Sequence, residues 1–253
     1  MTKHLLVSLA LLAGCVDAID DVTSDPASDD AQGLDDVSHK ISANGMPPGS
    51  VAATSLGLSA LTDTAISNSG LVASANGRQF LSYVIGCAWG PNHSTTIAIP
   101  LGGNVTFTGA IGLADYWNKS ALTVADRHWV TACVMARVNY FSLNVTISLQ
   151  GNNAALALDY DQNYGIDEGA FFGDILGGGG AAVMGACMGV DQAHDNTQGD
   201  LPHRKCAADT SYCGFTYLGT CRTTCTTTTF PYTGCAPTNW HEVISVKLNG
   251  VPD

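Results

Sequence analysis

Thr123-Val124-Ala125-Asp126-Arg127-His128-Trp129-Val130-Thr131-Ala132-Cys133-Val134-Met135-Ala136-Arg137-Val138-Asn139-Tyr140 is followed, two residues on, by Leu143-Asn144-Val145-Thr146-Ile147-Ser148-Leu149. In the first stretch Ala125, Trp129, Ala132, Cys133, Ala136 and Tyr140 recur at three- and four-residue spacing, the pattern of a helix with one apolar face. Thr123 with Asp126 is the start signal, a hydroxyl and an acid placed to cap the first turn reciprocally. In the second stretch apolar and polar residues alternate without exception, the pattern of a half-buried strand with one wet face. A period of 3.6 giving way to a period of two within so short a span sets helix against sheet.

Working outward, Phe80 to Trp89 reads as a second, buried helix. Thr95 to Ile99, Val105 to Thr108, Leu156 to Tyr160, Ala182 to Met188 and Val243 to Leu248 give weaker strand signals. Helices and strands do not alternate regularly, which argues against a doubly wound parallel sheet. The expected class is α+β: an antiparallel sheet with a few packed helices, plus a disulfide-rich C-terminal region. The folded domain is placed at 78–253, long enough to bury one sizeable core.

Two segments precede it. Residues 15–40 hold Asp17, Asp20, Asp21, Asp25, Asp29, Asp30, Asp35 and Asp36, with no basic residue before Lys40. Such a run repels itself and stays solvated, and is expected to act as a tether. Residues 41–77 are rich in Ser, Ala, Gly, Thr and Leu, and fragments such as Ser42-Ala43-Asn44-Gly45 and Ser74-Ala75-Asn76-Gly77 recur. They read as a degenerate repeat, either a flexible linker or a belt whose leucines dock on the domain.

Met1 to Cys15 carries a basic start, a short apolar run and small residues before a cysteine, the layout of a secretory leader. Its apolar run of about nine residues falls short of the roughly twenty that span a bilayer. Leu12-Ala13-Gly14-Cys15 resembles the lipobox of bacterial lipoproteins. That resemblance implies removal of residues 1–14, acylation of Cys15 by fatty chains such as palmitate, and a lipid anchor as the contact with the membrane. Val16 stands where an Asp argues for inner-membrane retention in enteric lipoproteins, so the expected location is the bacterial cell envelope at the outer membrane. The blocks Gly109 to Ala114 with Trp117, Trp129 to Asn139, Val145 to Gly151 and Glu168 to Gly173 resemble exported proteins of myxobacteria that carry Asn-Gly-Leu repeats. That likeness implies a source and a location, not a reaction.

The chain has nine cysteines. With Cys15 set aside for lipid, Cys87, Cys133, Cys187, Cys206, Cys213, Cys221, Cys225 and Cys235 form an even set, which an oxidising compartment pairs as disulfides. Cys87 and Cys133, each in a helix, are expected to join. Zinc at Cys221 and Cys225 would require a second such pair or a nearby His.

Candidate chemistry is sparse. Asp159, Asp161, Asn163, Asp167 and Glu168 space oxygen ligands as a calcium loop does, although the glycine and the terminal acid are displaced from their usual places. Calcium there is the candidate cofactor. Asp191, His194, Asp195 and His203 form a looser metal candidate. Glu168, beside Phe171 and Phe172, paired with Asp174 or Asp161, is the candidate for a carboxylate-pair hydrolase. His128 and Cys133 lie on different faces of one helix, and His241-Glu242 lacks the second His of a zinc protease. A net charge of −12, with ten Lys and Arg, excludes nucleic acid as a partner class. The expected role is binding or structural rather than enzymatic, with a protein or glycan partner.

Overall fold

The computed structural model describes residues 40–41, 45–100, 102–142, 144–156, 163–178, 182–191, 206 and 213–249. Its centre is a stretch that sequence periodicity leaves unassigned: Ile166–Asp174 forms strand β5, buried along almost its whole length. Ala170 and Phe172 point to one side of the sheet and Phe171 to the other, as the two-residue period requires. Both faces are covered, so this strand, Ile-Asp-Glu-Gly-Ala-Phe-Phe-Gly-Asp, shows no regular alternation of apolar and polar residues.

Around β5 a six-stranded sheet runs in the order β1 (Lys40–Ile41), β4 (Ile147–Gln150), β8 (Ile244–Leu248), β5, β6 (Val183–Met188), β7 (Thr216–Thr220). Neighbours are antiparallel except β6 and β7, which are parallel. The fold is therefore α+β with a mixed sheet. β2 (Ser94–Ala98) and β3 (Asn104–Thr108) make a separate hairpin.

On one face α3 (Val124–Ala136) packs across β5 and β8, and α2 (Ala75–Ala88) packs on α3. Trp129 to Ala136 are all buried because sheet and helix cover α3 from opposite sides. The Thr123–Asp126 capping box is formed, with Asp126 N donating to Thr123 Oγ1 (3.2 Å) and Thr123 N donating to Asp126 Oδ2 (3.3 Å). The disulfide Cys87–Cys133 joins α2 to α3. On the other face lies the cysteine-rich segment, where Cys187, Cys221, Cys225, Tyr232, Cys235 and Val243 cluster over Ala170 and Phe172. Cys187–Cys221, Cys206–Cys213 and Cys225–Cys235 crosslink it, and Cys221–Thr224 forms the short helix α4. Cys221 and Cys225 bond to different partners instead of forming a zinc pair.

Two expectations change. Residues 45–77 are not a linker outside the domain. They contribute α1 (Asp63–Asn68), three single 3-10 turns and the first turn of α2, and Met46, Leu56, Leu61, Ile66 and Val72 join the main core. The docked belt is the version that holds, because these apolar residues are spaced to meet α2, Trp117 and α3 rather than to face water. The domain boundary at residue 78 accordingly falls inside α2. Nor has β4 a wet face. Ser148 is fully buried and Gln150 nearly so, its Nε2 donating to Ser148 Oγ (3.4 Å), while on adjacent β8 Ser245 Oγ accepts from Tyr232 N (2.8 Å). The polar side of these strands is thus covered by the cysteine-rich segment.

That covering buries Asp167. Its Oδ2 accepts from Tyr232 Oη (2.5 Å) and Val190 N (3.3 Å), and its Oδ1 has no hydrogen-bond partner. Burial pushes the carboxyl up from its ordinary 3.8, against the Tyr232 hydrogen bond, and burial also raises the Tyr232 hydroxyl. A carboxyl raised on folding holds its proton more tightly in the native state. Its stabilising contribution is present at low pH and is lost as pH climbs from the ordinary carboxylate range through the raised native value. Asp167→Asn keeps an acceptor for Tyr232 and removes this penalty. It should raise the melting temperature at pH 8 and leave it nearly unchanged at pH 4, read from thermal melts across that range. An equal shift at both values would contradict the account.

Candidate functional site

Arg127 and His128 follow the capping box in the first turns of α3, and Asp174 closes β5. The helix lies across that strand, so the three side chains meet. Arg127 Nη2 is 3.2 Å and His128 Nε2 3.8 Å from Asp174 Oδ2. Asp174 Oδ1 accepts from Leu176 N (3.1 Å) and Gly177 N (2.9 Å), fixing the loop that leaves the strand. Thr131 Oγ1 accepts from Ile175 N (3.1 Å) and ties the same loop to α3. His128 Nδ1 stands 3.2 Å from Glu242 Oε2, so the imidazole sits between two carboxylates. Trp240 meets its ring edge-on, with centroids 4.4 Å apart.

These residues line or back a cleft of about 740 Å³, within the usual range of small-molecule sites. Ala53, Thr54 and Ser55 form one wall, held by Thr54 N donating to Ile175 O (2.8 Å) and Gly57 N to Leu176 O (3.2 Å). Gly178 (φ 61°) passes so close to Ser55 that a Cβ would lie 2.3 Å from the serine Cβ, so glycine is required there. The far wall belongs to the cysteine-rich segment. Trp240 and Cys235 exchange backbone hydrogen bonds of 2.8 and 3.0 Å, and the Cys225–Cys235 disulfide anchors that pair. Crosslinking thus holds an indole and, two residues on, Glu242 against the start of α3.

The residues singled out from sequence fare unevenly. Asp174 lines the cleft, but its two oxygens are committed to Arg127, His128 and two backbone N–H groups. Glu168 is fully buried within β5. Six residues of strand put it about 20 Å from Asp174, beyond the roughly 5–10 Å that carboxylate-pair hydrolases use, so these two do not form a pair. Asp159 and Asp161 lie outside the described residues, as do Cys15, His194, Asp195 and His203. Of the remaining calcium candidates, Asn163 precedes β5, and Asp167, on the strand, already has Oδ2 taken by Tyr232 Oη and Val190 N. Among the described residues, the one set of three His, Cys, Asp or Glu with ligand atoms within 4.8 Å is Cys187, Cys221 and Cys225, all of them disulfide-bonded.

Arg127, Trp240 and Glu242 carry no signal in the sequence. They are separated from one another by more than a hundred positions or lie in a turn-rich segment, and helix-on-strand packing brings them together. A second, smaller cleft of about 400 Å³ holds His93 stacked on Trp89 (4.0 Å, 7°). There the N–H of Gly90 donates to Asp115 and holds its carboxyl below the ordinary range, with His93 Nδ1 3.3 Å away.

Comparison of the chain with family models, with curated proteins and with solved structures finds no match. Among the described residues no helix is long and apolar enough to cross a membrane.

Proposed function

We propose that this chain is a bacterial lipoprotein of the cell envelope. It is exported, cut before Cys15, acylated on that cysteine and held at the outer membrane by lipid, with its crosslinked domain serving as a binding module. The observation that carries the reading is the use of cysteine. Four disulfides employ Cys87, Cys133, Cys187, Cys206, Cys213, Cys221, Cys225 and Cys235, and leave over Cys15, which sits at the lipobox-like junction. Four crosslinks fit an oxidising compartment. Two acyl chains or more give stable anchoring where a single one gives marginal attachment. A binding role is favoured over catalysis because Asp174 is engaged on both oxygens and Glu168 is shut inside the sheet, which argues against a hydrolase built on Glu168 and Asp174.

The test is fractionation of cells producing the wild type and Cys15→Ala. Wild type is expected in the membrane fraction, extracted by detergent and not by salt, and the variant in the soluble fraction. A Cys15→Ala protein that stays with the membrane overturns the reading.

A further inference from the structure

Two disulfides meet in the cysteine-rich segment. Cys187–Cys221 and Cys225–Cys235 share no residue, yet Cys187 Sγ and Cys225 Sγ are 3.7 Å apart. The Sγ atoms of Cys187, Cys221 and Cys225 all lie within 4.8 Å of one another. Three elements bring them together. Cys187 sits on β6 opposite Ala170 of β5, Cys221 opens α4 and Cys225 ends it, and Cys235 faces Cys225 across an isolated antiparallel bridge. The other four disulfide cysteines belong to the separate main core.

Thiol–disulfide exchange needs a thiolate in contact with a disulfide sulfur. Opening Cys225–Cys235 creates one, because the freed Cys225 already touches Cys187. We propose that this cluster is a thiol–disulfide exchange site whose reactant is a dithiol, and that its product is an isomer with Cys187 bonded to Cys225. Entry is at Cys225. It is 8% exposed where Cys187, Cys221 and Cys235 are 0% exposed, and Arg222, Thr223 and Thr226 beside it face solvent. A thiolate of the dithiol attacks Cys225 Sγ, forms a mixed disulfide and expels Cys235 as thiolate. The second thiol of the reactant attacks its own sulfur in that mixed disulfide and releases Cys225 as thiolate. The reactant departs as a disulfide, and its electron pair stays with the chain. Cys225 then attacks Cys187 Sγ, the Cys187–Cys225 bond forms, and Cys221 leaves as thiolate with no further change in oxidation. The protons given up by the dithiol end, through water, on Cys221 and Cys235.

The isomer differs from the native pairing in what it fastens. α4 stays tied to β6, now through Cys225 instead of Cys221. Cys235 is no longer crosslinked, and it exchanges backbone hydrogen bonds of 2.8 and 3.0 Å with Trp240. Exchange therefore unfastens the wall of the cleft that carries Trp240 and leaves the rest of the segment in place.

The test uses the full oxidised chain carrying Cys15→Ala, so that the ninth cysteine takes no part and the outcome is independent of the anchor. Dithiothreitol is raised until a bond of the cluster opens, and the mixture is held until its composition is constant. Acid stops exchange, free thiols are capped, and linked peptides are mapped by mass spectrometry. The expected product links Cys187 to Cys225 and has Cys221 and Cys235 capped. It should be at least about tenfold more abundant than any link from Cys225 to Cys206 or Cys213, because proximity favours the near sulfur by more than that. Capped Cys225 and Cys235 with Cys187–Cys221 intact overturn the proposal. So does a cluster that opens only as circular dichroism shows the chain unfolding, or links from Cys225 to Cys206 or Cys213 in comparable amount. Adding Cys235→Ser supplies the Cys225 thiol without any reductant. Cys187–Cys225 with a free Cys221 should then appear spontaneously, and Cys187–Cys221 alone in a folded chain overturns the proposal. Should that variant misfold, the map of the chain with Cys235 in place decides.

Discussion

Replacing Cys87 and Cys133 together by alanine should lower the unfolding free energy by about 4 kcal/mol, the largest single loss available to the domain from one crosslink. The two residues are 46 apart in sequence, and opening a loop of that length returns about this much chain entropy to the unfolded state. The bond lies at the contact of α2 with α3, where both cysteines are fully buried. Arg137 is packed against it, Nη1 donating to Tyr83 O (3.2 Å) and lying 3.8 Å from Cys87 Sγ. Replacing both residues avoids a stray thiol that could pair wrongly. Near the usual few degrees per kcal/mol for a domain of this size, the melting temperature should drop by roughly 10 °C in calorimetry. A drop of under about 2 °C would show that helix packing, not the crosslink, holds α2 to α3.

Trp117→Ala should cost a similar amount, about 3–5 kcal/mol, and its effect should be local as well as global. The indole is fully buried, its Nε1 donates to Ser59 O (3.0 Å), and its backbone oxygen accepts from Leu61 N (2.8 Å). Truncation opens a cavity beneath Leu61 and strips a donor from Ser59. Residues 55–62 would then loosen before the rest unfolds, so limited proteolysis should cut there first, and the urea midpoint of the whole domain should fall. Trp117→Phe fills most of the cavity and loses the hydrogen bond, for about 1–2 kcal/mol. Proteolysis unchanged in Trp117→Ala would mean that the segment is held by Leu56, Ile66 and Val72 without help from the indole.

Periodicity makes part of this fold legible in the sequence. α3 stood out because Trp129, Ala132, Cys133 and Ala136 repeat at helical spacing behind a capping box, and β2, β3, β6 and β8 fall within residues of their expected places. β5 did not stand out, because a strand covered on both faces has no alternation to read and Glu168-Gly169 interrupts its apolar run. Residues 45–77 were ambiguous for a related reason. Short 3-10 turns carry no long period, and whether Leu56 or Leu61 is buried depends on Trp117, far away in sequence. The cleft was the least legible part. Sequence spacing offers Asp174 a role in a carboxylate pair with Glu168 that the geometry denies it, and sets His128 beside Cys133 on its own helix, whereas its neighbour in space is Glu242, delivered by a distant loop. Local spacing reports which residues share an element's face. It does not report which elements meet, and this site is made wholly of meetings between elements.

The cysteine-rich segment gains a purpose from that geometry. It covers the polar side of β4 and β8, buries Asp167, and carries Trp240 and Glu242 to the start of α3. A stretch with little apolar sequence thereby forms one wall of the cleft, and disulfides do the holding that a larger core would do elsewhere.

Export, anchoring and crosslinking are read together in a single intact mass of the mature chain, taken from membranes without reduction and compared with the reduced sample. The account predicts a chain beginning at Cys15, heavier than its sequence by a lipid modification and lighter by the hydrogens of four disulfides. A chain that retains Met1 to Gly14, or an unmodified Cys15 with free thiols among the other eight cysteines, would contradict it.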